Sequence, residues 1–190
     1  TKPASDGERV FVTTDDDRIV ALTLVDGRRL WERERSPLSS TSVVSRITGH
    51  AGAALHAGAV FTGFSDGRVM AFDVRDGATL WSRDLSGGGR EFVDVDSTPL
   101  VTPQGLIVVS GYATGLHGLD AKSGEIVWRL TGRGYGQPAY HEGVLYVPCT
   151  KEPSSSADPS RPNQASLSAV SVQDGNVQWT LRVGESTPTR

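Results

Sequence analysis

The sequence predicts an all-β protein, a β-propeller segment of four four-stranded blades. Three observations carry this. The four tryptophans stand at positions 31, 81, 128 and 179, spaced by 50, 47 and 51 residues. Each closes a similar run of residues, and nowhere does the apolar pattern follow the 3.6-residue period of a helix. The runs are Asp26-Gly-Arg-Arg-Leu-Trp31, Asp76-Gly-Ala-Thr-Leu-Trp81, Ser123-Gly-Glu-Ile-Val-Trp128 and Asp174-Gly-Asn-Val-Gln-Trp179. Ahead of them lie the alternating segments Ile19–Leu24, Val69–Val74, Leu116–Ala121 and Leu167–Val172.

Each copy reads as an antiparallel hairpin, an alternating strand joined by an Asp-Gly or Ser-Gly turn to a second strand that carries the tryptophan. The glycine supplies positive φ. Upstream of each hairpin a β-branched run opens on a glycine: Arg9–Thr13, Ala59–Thr62, Leu106–Val109 and Val144–Val147. Before that comes a short piece with small residues, Lys2–Ser5, Ala53–His56, Ser97–Val101 or Gln137–Tyr140, in which proline suits only a strand start or edge. Four strands per repeat of nearly fifty residues is the pattern of a propeller blade. The blades are expected at about 1–35, 51–86, 97–131 and 137–183. Trp31, Trp81, Trp128 and Trp179 are expected to wedge between adjacent blades, since a large rigid aromatic buries much area against a neighbouring face.

Residues 1–5 already occupy a first-strand position, and Glu185-Ser-Thr-Pro echoes Asp96-Ser-Thr-Pro99, so the chain carries four repeats and the start of a fifth. We therefore expect part of a longer, eight-bladed ring, with a closed four-bladed ring as the alternative. An isolated arc would leave sheet faces open and invite self-association. A Ser/Pro-rich insertion at 149–166 interrupts the fourth copy and reads as a surface loop.

Composition narrows the function. The 190 residues are 37% hydrophobic and 22% charged with net charge −3, and the 19 basic residues are scattered, which argues against a nucleic-acid surface. The longest apolar stretch, at 105–110, is far short of the roughly 18 residues of a membrane span. The first residues carry neither a basic head nor an apolar core, so any export signal or lipid anchor is expected outside this segment. The single Cys149 supplies neither an internal disulfide nor a cysteine-rich metal site. His50, His56, His117 and His141 lack metal-ligand spacing, and no metal site is expected. Asp15-Asp-Asp17 reads as a solvated hairpin tip. Gly132-Arg-Gly-Tyr-Gly136 and Gly87-Gly-Gly89 imitate phosphate loops, but no helix follows them.

Val69-Met-Ala-Phe-Asp-Val-Arg-Asp-Gly-Ala-Thr-Leu-Trp81 and Leu116-His-Gly-Leu-Asp-Ala-Lys-Ser-Gly-Glu-Ile-Val-Trp128 resemble the repeat of pyrroloquinoline-quinone-type propellers. Within that superfamily, Phe92-Val-Asp-Val-Asp-Ser-Thr-Pro-Leu-Val101 and the hairpin after it resemble the BamB-like lipoproteins of the outer-membrane β-barrel assembly machinery. The resemblance implies an eight-bladed periplasmic scaffold attached to the outer membrane, with no enzymatic activity and no cofactor. It further implies binding to the barrel-inserting subunit BamA through an Asp pair and an apolar-Arg loop. By motif match these fall on Asp94 and Asp96, and on Arg46 with Val43 and Val44. The other reading of the acid pair is that both carboxylates satisfy inter-blade N–H groups. Two further classes stay open, a ligand-sensing or partner-binding propeller of a signalling protein and a fragment of a quinoprotein dehydrogenase. The dehydrogenases carry adjacent cysteines at their active site, which the lone Cys149 excludes here.

Overall fold

The computed structural model describes residues 2–34, 51–87, 94–132, 134–149 and 165–183. These form four sheets, each of four antiparallel strands in sequence order, and no helix occurs among them. The first blade is β1 (Ala4–Ser5), β2 (Arg9–Thr14), β3 (Arg18–Thr23) and β4 (Arg29–Glu34). The second is β5 (Ala54–His56), β6 (Ala59–Gly63), β7 (Arg68–Asp73) and β8 (Thr79–Asp84). The third is β9 (Leu100–Val101), β10 (Leu106–Gly111), β11 (Gly115–Asp120) and β12 (Ile126–Leu130). The fourth is β13 (Ala139–His141), β14 (Val144–Cys149), β15 (Ser166–Ser171) and β16 (Val177–Arg182). Arg46, Val43 and Val44 lie outside the described residues, as does most of the Ser/Pro-rich insertion.

The core lies between blades, not within them. The second and third sheets pack on both faces, their strands alternating between contacts with the blade before and the blade after. Phe11, Ile19, Ala21 and Trp31 of the first blade pack with Val60, Met70, Phe72 and Val74 of the second. Phe61, Val69 and Ala71 of the second pack with Ile107, Val109 and Leu119 of the third. Val108, Leu116 and Trp128 of the third pack with Leu145, Val147, Val170 and Val172 of the fourth.

The hairpin that carries each tryptophan is looser than a two-residue turn. Five residues separate β3 from β4, and the glycine amide closes back four residues, Gly27 to the Thr23 carbonyl at 3.1 Å and Gly77 to the Asp73 carbonyl at 2.9 Å. The preceding side chain caps the turn. Asp76 accepts from the Ala78 amide at 2.8 Å, and Ser123 accepts from the Glu125 amide at 3.2 Å. This local acceptor, two residues before the donor, is why the turn reads Asp-Gly or Ser-Gly in every copy. A bulge follows in each outer strand. The register slips between Ala21 and Leu22, Ala71 and Phe72, Gly118 and Leu119, and Ala169 and Val170, which sets each tryptophan opposite an alanine or a glycine.

That small residue and the next blade's turn glycine hold the indole between them. Trp31 donates its indole N–H to the Val74 carbonyl at 3.1 Å, Trp81 to Ala121 at 2.9 Å and Trp128 to Val172 at 2.8 Å, each across a blade boundary. The turn glycine lies flat against the same ring. A Cβ on Gly77, Gly124 or Gly175 would stand 2.7, 2.5 or 2.6 Å from the indole of Trp31, Trp81 or Trp128. The glycine thus serves its own turn, at φ 71° for Gly77, and the previous blade's tryptophan. Arg33 and Arg83 add hydrogen bonds to the Gly77 and Gly124 carbonyls at 2.8 and 2.7 Å. Trp179 differs. No described blade lies beyond it, it is 46% exposed, and it packs on the Tyr146 ring of its own sheet. The wedging role expected of it is not realised within the described residues.

The acidic tip at 15–17 is more than a solvated turn. Asp17, at φ 59°, accepts from the Ser65 amide at 3.1 Å and from the Ser65 hydroxyl, joining the β2–β3 turn to the next blade.

Candidate functional site

Asp94 and Asp96 lie in the segment that runs from the second blade into β9, the inner strand of the third. This segment threads a slot between the ends of β6 and β10, and both strands end in glycine. A Cβ on Gly111 would stand 2.3 Å from the Asp94 carbonyl oxygen, and one on Gly63 would stand 2.5 Å from the Val95 side chain. Val95, fully buried between the second and third blades, anchors the slot, and its amide donates to the Phe64 carbonyl at 3.2 Å. The next residues lock it further. The Ser97 hydroxyl accepts from the Ser110 amide at 2.7 Å, and the Thr98 hydroxyl accepts from the Gly52 amide at 3.1 Å. The Thr98 carbonyl accepts from the Gln137 side chain at 3.0 Å, so one short segment is tied to blades on either side.

The Asp-Val-Asp-Ser-Thr-Pro run therefore divides. Val95, Ser97 and Thr98 hold the fold, while the two acids are left without a cation: no arginine or lysine among the described residues pairs with either. Asp94 is buried, and Asp96 is exposed beside it. Burial holds the Asp94 carboxyl above the usual carboxylate range, with only its own amide offsetting this. Asp96 is also raised, by its protein surroundings first and then by the negative charge of Asp94, and its exposure lets solvent weaken the effect. The negative charge of Asp94 thus adds to the raised proton affinity of Asp96, and a positive group placed beside the pair would lower both carboxyls. Asp94 accepts no hydrogen bond from an amide of a neighbouring blade among the described residues. Where Arg46, Val43 and Val44 stand relative to this pair lies outside the described residues.

Sequence reasoning missed one polar residue of note. His117 on β11 is fully buried with neither ring nitrogen hydrogen-bonded, and burial, then the charge of Arg129, lowers its pKa to about 4. Its pairing partner is Val109, and the corresponding positions in the first two blades are Val20 and Met70. The signal available was a histidine at an apolar position of the repeat.

Blades built from Trp-capped, Gly-turned hairpins, packed face to face with the indole over the next turn, define a β-propeller repeat protein of the pyrroloquinoline-quinone type. The family model described as outer membrane protein assembly factor BamB matches residues 1–113 and 94–190, and the chain belongs to that family. Among solved structures, BamB from Moraxella catarrhalis is 17% identical with a TM-score of 0.70, the match covering 96% of this chain and 48% of that one. Quinohemoprotein alcohol dehydrogenase from Comamonas testosteroni is 21% identical with a TM-score of 0.74, covering 95% of this chain and 34% of that one. The computationally designed Ika8 protein is 12% identical with a TM-score of 0.68, covering 95% and 48%. The chain thus spans about half the length of the BamB it resembles, and at these identities the likenesses establish the fold. No curated protein matches the chain.

Proposed function

We propose that this chain is a non-catalytic β-propeller scaffold of the periplasm, attached to the outer membrane through a lipid anchor outside the described segment, that binds the barrel-inserting BamA-like subunit of the β-barrel assembly machinery. The observation that carries this reading is the BamB family match along the whole chain. The acid pair of Asp94 and Asp96, which has no cationic partner among the described residues, lies on the family's Asp-Val-Asp-Ser-Thr-Pro run and gives it a site. The mechanism is docking. The slot glycines and the Ser97 and Thr98 hydrogen bonds hold the segment rigid before contact, which lowers the ordering cost of binding. The carboxylates then take up a basic side chain, and Arg46 with Val43 and Val44 supply an adjoining contact.

The test is capture of the purified barrel-inserting subunit by the wild-type chain and by an Asp94→Ala/Asp96→Ala variant with unchanged circular dichroism. Loss of capture in the variant supports the docking role. Capture equal to wild type removes the acid pair from it, and no capture by either protein removes the partner. The dehydrogenase likeness favours a cofactor enzyme only at the level of fold.

A further inference from the structure

The boundary between the second and third blades differs from the two beside it. At the first of these the Thr13 hydroxyl donates to the Ala51 carbonyl at 2.7 Å, and at the last the Ser110 hydroxyl donates to the Gly136 carbonyl at 2.9 Å. By strand register the matching donor position in the second blade is Gly63, which has no hydroxyl to offer and makes room for Val95 instead. The same boundary buries His117, whose ring nitrogens have no hydrogen-bond partner. His117 pairs with Val109, and two residues along on the same face Gly115 pairs with Gly111, the slot wall that meets the Asp94 carbonyl. The imidazole therefore stands beside the slot, on the face that carries Val109 and Leu119 into the core shared with Val95. Around that face, Arg129 pairs with His117 from β12, Arg83 reaches from β8 to the Gly124 carbonyl, and Asp94 and Asp96 lie in the slot. Asp73, at the opposite end of β7, is held by Arg75. The position that matches His117 in the fourth blade is Ser168, which shares a hydrogen bond with Thr180 at 2.9 Å, so a polar side chain at this place is satisfied there and not here.

We propose that His117 is an acid-operated release for the docking segment: a proton on its ring parts the second and third blades and frees residues 94–98 from the slot. The closed boundary offers the added proton no acceptor and sets it near the like charge of Arg129, whereas opening gives both nitrogens water. Burial first, and then Arg129, holds the ring at a pKa of about 4 when closed, against about 6.5 in water. The closed form is therefore fully favoured above about pH 6.5 and loses ground as the pH falls towards 4. Val95 carries the change to the segment, because its side chain packs in that core and its amide donates to the Phe64 carbonyl at 3.2 Å. Asp94 and Asp96 oppose the release, since acid favours their uncharged, closed form. The consequence for partner capture rests on the docking role of this acid pair, whereas the opening itself does not.

Amide hydrogen exchange of the whole chain, resolved by residue at pH 7 and pH 5 and corrected for intrinsic rates, reads this opening without a partner. The reporters are the Val95 amide and the Ser110 amide, which donates to the Ser97 hydroxyl. The Gly134 amide, which donates to the Tyr112 carbonyl at 2.8 Å, is the matching tie between the third and fourth blades. The opening constant at Val95 and Ser110 should rise roughly 20-fold from pH 7 to pH 5, as the closed and open pKa values of His117 require, with little change at Gly134. His117→Met should remove the rise. An opening constant at Val95 that ignores pH, an equal rise at Gly134, or a rise that survives in His117→Met would each overturn the proposal. The comparison of Val95 with Gly134 in the unsubstituted chain decides it even where His117→Met folds poorly. Because the barrel-inserting subunit is absent from this measurement, its failure leaves the docking role standing, and a failed capture leaves the release standing.

Discussion

Alanine substitution at Gly27 and Gly77 isolates what the indole contact contributes. The two turns share sequence and geometry, with φ 70° and 71°, but Gly77 has the Trp31 ring where its Cβ would be, at 2.7 Å, and Gly27 has nothing. Alanine in the left-handed region costs about 1–2 kcal/mol at either site. At Gly77 the methyl group must also displace a ring held by Phe11 and Phe72, at centroid distances of 5.8 and 6.4 Å, and by its bond to the Val74 carbonyl. Overpacking of this kind adds about 1–3 kcal/mol. Gly77→Ala should therefore destabilise by about 2–5 kcal/mol and Gly27→Ala by about 1–2 kcal/mol. Both are measured by urea unfolding at constant m. In a Trp31→Ala background the cost of Gly77→Ala should fall to that of Gly27→Ala, so the double-mutant cycle returns the overpacking part alone. Equal losses at the two glycines, or a cost at Gly77 that ignores Trp31→Ala, would refute the shared role of this glycine.

Trp128→Ala, which removes a ring only 7% exposed, should cost roughly 3–5 kcal/mol, while Trp179→Ala in the dilute single chain should cost less than about 1 kcal/mol; thermal melts separate them. His117, neutral when folded with a pKa of about 4, gains a proton more easily once unfolded. Stability is then full above about pH 6.5 and falls between there and pH 4, by roughly 3 kcal/mol, and His117→Met should flatten that acid slope and raise stability at pH 7. Asp94 and Asp96 run the other way. Their raised folded pKa values favour the fold at low pH and oppose it as the carboxyls ionise, so Asp94→Asn/Asp96→Asn should stabilise the free chain at neutral pH while abolishing partner capture. A double variant that is less stable at neutral pH would show that the acids serve the fold.

What the sequence made legible was whatever recurs. Four tryptophans with four turn glycines gave the strand count, the antiparallel order and the outer strand of every blade, because periodicity and turn chemistry are local properties of the chain. The family followed from Asp94 to Pro99 and the repeat around it. The reason for the repeat was not legible. Asp-Gly alone suggests a tight hairpin, and only the neighbouring blade shows that the glycine must also be flat against an indole from the preceding repeat. Gly63 and Gly111 were silent for the same cause, since the segment they admit arrives from elsewhere in the chain. His117 was read for metal spacing, which it lacks, and its burial depends on the apposition of two sheets that no single repeat encodes.

The split between recurring and solitary residues bears on where function resides. A residue needed by every blade should appear in every blade, and the tryptophan, the turn glycine and the small residue opposite the ring do so. By strand register, Asp96 corresponds to Tyr135 in the fourth blade. Tyr135 is buried against Cys149 and completes a core, whereas no arginine or lysine among the described residues pairs with either acid. Two adjacent like charges, one of them buried, oppose folding at neutral pH, and the blades beside them fold without any such pair. A local penalty that the repeat does not require, set on a segment immobilised by Val95, Ser97 and Thr98, supports the proposed docking of a basic side chain on this pair.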